Sequence, residues 1–142
     1  RINFSYKVTD GITLKSRAEI IALNRPSSPN ETGFLIYQDL LIRPKTWPID
    51  LSMRYAFFDT DSYDTRLYAF ESNALYVFSV PAYFYKGTRA YLMVRWTFLR
   101  KFDLWARYAV NLYTDRDSLG SGAEMIKTNR KSEVTLQLRV KL

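Results

Sequence analysis

Asp59, Asp61 and Asp64 lie close together in the chain and enclose Ser62. Carboxylates so spaced could share a proton, activate a water or hold a cation. The same residue types are turn formers, and a solvated turn needs only their bonds to nearby backbone. A second acidic stretch, Asp115-Arg116-Asp117-Ser118-Leu119-Gly120, partly follows a calcium loop. It places Leu119 and Ile126 where that motif requires an oxygen ligand and a Glu. Gly120 and Gly122 lack the strand–Gly–Lys–helix context of a phosphate loop. The chain has no His and no Cys among its 142 residues. That removes His-based triads, cysteine nucleophiles, thiolate metal sites and disulfides. No catalytic residue, metal site or cofactor is therefore expected, and the protein is not expected to be an enzyme.

Basic residues are the remaining chemistry. Lys and Arg total 21 against 14 Asp and Glu, a net charge of +7, and 11 Tyr and 9 Phe are interleaved with them. Cations among aromatic rings can form a stacking platform for nucleic acid. Here the arginines spread over nearly every segment instead of forming one patch, which favours a lining role over nucleic-acid binding.

The elements that carry them have a period of two. Val134, Leu136, Leu138, Val140 and Leu142 alternate with Thr135, Gln137, Arg139 and Lys141. Only a strand puts such a set on one face. The pattern repeats over residues 2–8, 14–22, 34–42, 49–58, 89–98 and 104–114. Segments 65–71 and 74–80 are β-rich, but their faces are ambiguous. No stretch carries a helical stripe, so the class is all-β with about nine strands.

The apolar faces carry almost no charge, while Lys7, Lys15, Glu19, Asp39, Asp50, Arg89 and Lys141 fall on the other faces. A soluble barrel reverses this arrangement. The expected architecture is an antiparallel up-and-down transmembrane β-barrel with polar residues inward. Leu92, Val94, Val110, Leu136 and Leu138 would face lipid. Arg17, Arg54, Arg95, Arg107 and Arg139 would form a basic lumen and set its anion preference. Trp47, Trp96 and Trp105 map to one rim as an interfacial girdle, although Trp105 shares a face with Arg107.

Short connections (Asp10-Gly11, residues 44–48, 71–73 and 100–103) alternate with longer ones (25–32, 59–64, 81–87 and 115–130). Outer-membrane barrels have this asymmetry of rims. Asp10-Gly11 is a two-residue hairpin signal. An odd strand count, with no initiator Met and no signal segment, predicts the C-terminal part of a larger barrel, a single domain whose N-terminal part lies upstream.

Several stretches also carry a resemblance. They are Arg66-Leu67-Tyr68-Ala69-Phe70-Glu71, Leu75-Tyr76-Val77-Phe78-Ser79-Val80-Pro81 and Lys86-Gly87-Thr88-Arg89-Ala90-Tyr91-Leu92. Phe102-Asp103-Leu104-Trp105-Ala106-Arg107-Tyr108, Ser118-Leu119-Gly120-Ser121-Gly122 and residues 131–139 join them. Over residues 48–142 the chain resembles the C-terminal region of Bacteroidota outer-membrane barrel proteins, a group often labelled helix-hairpin-helix. That segment is missing here, so no DNA-binding role carries over. The chain ends in Leu142, where barrel C-termini usually carry an aromatic residue.

The resemblance implies a bacterial outer membrane of Gram-negative type and no transferable activity. The phospholipase, lipid A acyltransferase and protease types of outer-membrane barrel rely on His, which this chain lacks. The expected function is a porin-like barrel wall serving as transporter, channel or membrane anchor for a periplasmic domain. Its partners would be the lipid bilayer and, during biogenesis, the barrel-assembly machinery, with room for other outer-membrane subunits and none for nucleic acid. The alternative is a soluble lipocalin-like barrel that buries Leu136 and Leu138 around an apolar ligand.

Overall fold

The computed structural model describes residues 1–26, 28–120 and 122–141. Leu142, expected on the apolar face, and Ser121, within one of the resemblance stretches, lie outside the described residues. Nine strands follow in chain order: β1 (Ile2–Thr9), β2 (Ile12–Arg25), β3 (Ser28–Ile42), β4 (Ile49–Thr60), β5 (Leu67–Tyr68), β6 (Ala82–Tyr83), β7 (Lys86–Phe98), β8 (Phe102–Tyr113) and β9 (Arg130–Val140). Seven of them form one antiparallel sheet in the order β1-β2-β3-β4-β7-β8-β9. The other two form a separate two-residue ladder. No α-helix occurs among the described residues.

Every neighbour in the large sheet is also the next long strand in sequence, so the sheet is a meander. Asp10-Gly11 makes the tight β1–β2 connection; neither residue takes a positive φ, and the ladder instead shifts register between Lys7 and Thr9. The β3–β4 and β7–β8 connections lie at the same rim. At the opposite rim the chain makes its two long excursions, residues 61–85 and 114–129.

Three expectations need correction. Segments 65–71 and 74–80 are not wall strands, and only Leu67–Tyr68 and Ala82–Tyr83 pair. They belong to an insertion between β4 and β7, so residues 71–73 do not form a rim turn. Both sides of this segment meet apolar surroundings or solvent, which is why its alternation is blurred. Second, β2 and β3 run on to Arg25 and from Ser28, where a loop over 25–32 was expected. Glu31 and Thr32 continue the ladder opposite Leu23 and Ala22 although their polarity suggests a turn, and the register shifts at Asn24. Third, the sheet does not close: among the described residues β1 and β9 are its two edges and do not pair with each other.

The register fixes the two faces. Ile36 stands opposite Ala18 and Phe57, and Ala90 stands opposite Tyr55 and Val110. Val110 in turn faces Ser132. The apolar sets of all seven strands therefore share one side, and the charged sets share the other. On the apolar side Asp59, Lys86 and Arg130 are charged, and all three sit at the long-excursion rim.

The apolar side is the uncovered one. Ile2, Ile20, Val134 and Leu136 are each more than 70 % exposed. The charged side carries the insertion, and the buried apolar groups lie beneath it. Leu67, Ala69 and Tyr83 pack on Leu35, Ala56, Phe58 and Tyr113. Ala74 joins Tyr91, Met93, Trp105 and Ala109 in a second cluster. Gly33 permits this close approach, because a Cβ there would lie 2.4 Å from the carbonyl oxygen of Thr65.

Candidate functional site

The charged face of the sheet, with the insertion seated on it, concentrates the polar chemistry of the chain. Alternation within β4, β7 and β8 aims Arg54, Arg89 and Arg107 to this side. Neighbouring strands then supply partners by register.

Arg54 stands opposite Asp39 and meets it with two parallel bonds, Nε to Oδ1 at 2.6 Å and Nη2 to Oδ2 at 2.8 Å. Its guanidinium also lies 3.6 Å from the Tyr37 ring centroid. A fork-to-fork pair stacked on a ring uses both the planarity and the charge of Arg. Arg17 bonds Glu19 and donates to the Tyr68 carbonyl of the insertion at 3.1 Å.

The centre of the network is Glu71, which is fully buried although it lies on the insertion. Its Oε1 accepts from Arg89 Nε and from the Tyr83 hydroxyl, each at 2.7 Å. Its Oε2 accepts from Arg89 Nη2 at 2.9 Å and from Arg107 Nη2. Arg89 also donates to Asn111 at 2.9 Å and reaches Glu133. Arg107 Nε donates to the Ser72 carbonyl at 3.1 Å. Burial, reinforced by the Glu71 charge, pushes the Tyr83 phenol up, so it keeps its proton and acts as a donor. One carboxylate thus fastens the insertion to two strands.

Towards the short-turn rim a second carboxylate gathers cations. Asp103, also fully buried, accepts from Thr97 Oγ1 at 2.6 Å and pairs with Arg139 and with Lys141 at 3.0 Å. Arg95 lies between Asp50 and Asp103, at 3.5 and 3.6 Å.

The five arginines picked from sequence all point to this face. Arg17, Arg54 and Arg107 are buried, whereas Arg95 and Arg139 are partly open. The structure does not place the five in one cluster; each pairs with a carboxylate, and Arg95 and Arg139 share Asp103. Leu92, Val94, Val110, Leu136 and Leu138 lie on the uncovered apolar face. Trp47 and Trp96 are 70 % and 43 % exposed. Trp105 is corrected: it is buried on the charged face, with Arg139 and Arg95 at 5.3 and 5.6 Å from its ring centroid. Its parity with Arg107 dictates that side.

Sequence reasoning missed Glu71, Tyr83 and Asp103 as site residues. Glu71 carries one faint signal, a single acid inside the apolar run 67–80. Its arginine partners are set by tertiary docking, which no local pattern encodes.

The acidic loop has structural partners. Asp59 pairs with Lys86 at 2.8 Å, and Asp64 with Arg25 at 2.5 Å. Asp61 accepts from the Thr32 amide and hydroxyl at 2.7 and 2.9 Å, which holds its carboxyl below the usual range. Ser62 Oγ bonds Glu31 at 2.5 Å and accepts from the Asp64 amide. In the second acidic stretch Leu119 bridges Ile126 across the loop and Asp115 is bonded by Arg116. No cluster suited to a metal ion occurs among the described residues. What the charged face can do is line a polar space, fix the insertion in it and present guanidinium groups to a solute.

No protein-family model, curated protein or solved structure matches the chain.

Proposed function

We propose that the chain forms part of the wall of a bacterial outer-membrane β-barrel. In this arrangement the apolar face meets hydrocarbon. The charged face lines the interior, and the insertion over residues 61–85 narrows it. The observation that carries this reading is the inversion of the two faces. Val134, Leu136, Leu138 and Val140 are 52–78 % exposed, while Arg54, Arg89 and Arg107 are at most 5 % exposed. In water the exposed apolar sheet would be a strong aggregation site. Against lipid it is the required surface.

Strand length agrees. β4 and β7, which flank the insertion, and the neighbouring β8 have 12 or 13 residues. At ~3.3 Å per residue and a tilt near 40°, such a strand spans about 30 Å, enough for the hydrocarbon core. Trp47 and Trp96 mark the short-turn rim, where an interfacial aromatic belt belongs.

Such a wall would serve a transporter, a channel or a membrane anchor, and the barrel-assembly machinery would insert it. Other outer-membrane subunits would meet it at its edges, its rims or its apolar face. A soluble lipocalin-like barrel is disfavoured, because its ligand-lining face would be the uncovered one. Nucleic-acid binding is disfavoured because the carboxylates of the charged face already pair most of its arginines.

The absence of native cysteine makes the test direct. Single cysteines at each position from 133 to 140 are spin-labelled and the protein is placed in lipid vesicles. Even positions should be accessible to oxygen and shielded from a water-soluble nickel chelate, and odd positions the reverse. Uniform access to the chelate would overturn the membrane reading.

A further inference from the structure

A cleft of about 440 Å³ opens on the charged face beside the insertion, towards the short-turn rim, lined by Arg43, Asp50, Ser52, Met93, Arg95 and Trp105. Two of its buried polar atoms have no protein partner. Ser52 is 1 % exposed, and its Oγ makes no hydrogen bond. Arg95 Nε is buried and likewise unbonded. Arg43, on the same lining, is exposed and forms no ion pair among the described residues. The remaining groups are committed. Asp50 lies against Arg95, and Asp103 is held by Thr97, Arg139 and Lys141.

A buried polar atom without a partner costs free energy unless something satisfies it. Of the two buried unbonded atoms, one is an N–H donor on a cation and the other a hydroxyl that can donate, and the exposed Arg43 guanidinium shares their cleft. They call for an acceptor carrying negative charge. The Trp105 ring and the Met93 side chain add an apolar wall, which suits a solute with a small organic body.

We propose that this cleft is a binding site for an oxyanion, inorganic phosphate or the phosphate or carboxylate head of a small organic solute. Arg43 supplies the charge that no carboxylate already pairs, Arg95 offers its unbonded Nε–H beside its ion pairs with Asp50 and Asp103, and Ser52 Oγ donates one further bond. Arg89, Arg107 and Arg54 take no part, since they do not line the cleft. Its role as a solute site in a barrel interior rests on the wall proposed above, whereas the binding itself does not.

The test titrates the full chain, folded in detergent micelles, with sodium phosphate and separately with sodium benzoate. Heat and tryptophan fluorescence are recorded in the wild type, Arg43→Gln, Ser52→Ala, Arg95→Gln and Lys15→Gln. Saturable binding is expected and should weaken as salt rises. Arg95→Gln and Arg43→Gln should each lose about tenfold in affinity or more, and Ser52→Ala a few-fold. Lys15→Gln, a cation of the same face away from the cleft, should bind as wild type. Benzoate binding more tightly than phosphate assigns the site to organic carboxylates, and the converse assigns it to phosphate. Arg43 is exposed and Ser52→Ala removes one atom, so these two variants keep the test valid if Arg95→Gln misfolds. No saturable binding of either anion, or affinity unchanged in both Arg43→Gln and Ser52→Ala, would overturn the site. That result with alternating spin-label access leaves the wall intact. Binding without alternation keeps the site and removes the wall.

Discussion

A buried carboxylate shared by two guanidinium groups is stable only while all its partners are present. Glu71 balances Arg89 and Arg107, and neither arginine has another carboxylate as well buried. Removing a partner from such a group leaves uncompensated charge in a dry place, at a cost of about 3–5 kcal/mol. Glu71→Ala should therefore destabilise the fold by that order in urea titrations of the vesicle-bound protein. Glu71→Gln, which keeps the acceptor oxygen and the shape, should cost less. Gly33→Ala tests the same docking through sterics. Its new Cβ would meet the Thr65 carbonyl at 2.4 Å, and rigid backbone yields poorly. We expect the insertion to lift, at a cost of about 1–3 kcal/mol. Limited proteolysis should then cut within residues 61–85 while the sheet stays resistant. An uncut insertion in Gly33→Ala would show that the contact is not needed.

At the scale of the strand, what matters is which side meets which medium. Leu136 lies mid-strand on the apolar face, and an Arg there should cost about 2–4 kcal/mol if it sits near the bilayer midplane. Arg139→Leu should cost less, because Asp103 keeps Thr97 and Lys141. Equal stability loss at the two sites, measured by denaturant titration in vesicles, would contradict the sidedness. This sidedness was legible in the sequence because a strand writes its environment every second residue, as residues 134–140 and 104–112 do. The insertion was not legible. Leu67 and Ala69 face the sheet, while Tyr76 and Phe78 face away and are largely exposed, so both phases of its alternation are apolar. Trp105 was misplaced because tryptophan type was given more weight than parity. The ion pairs were half legible: alternation placed Arg54 and Asp39 on one face, but only the β3–β4 register brings them opposite.

At the scale of the whole molecule, the described residues present a sheet with two unpaired edges. In a seven-stranded meander the first and last strands point the same way, so β1 and β9 could meet only as a parallel pair. Bacterial outer-membrane barrels close with antiparallel neighbours throughout. Under the wall reading, such closure needs an odd number of further strands between β9 and β1. Two copies sharing one orientation across a membrane cannot supply them by joining β9 to β1, since that junction is again parallel. Hydrogen exchange on the monomeric, vesicle-bound chain can read this directly. Amides of β4, β7 and β8 should be protected for hours. Along β1 and β9, the alternate amides that do not face β2 or β8 should exchange far sooner. Protection of every amide along both edges in a monomer would mean that β1 and β9 pair with each other, and the requirement for further strands would fall.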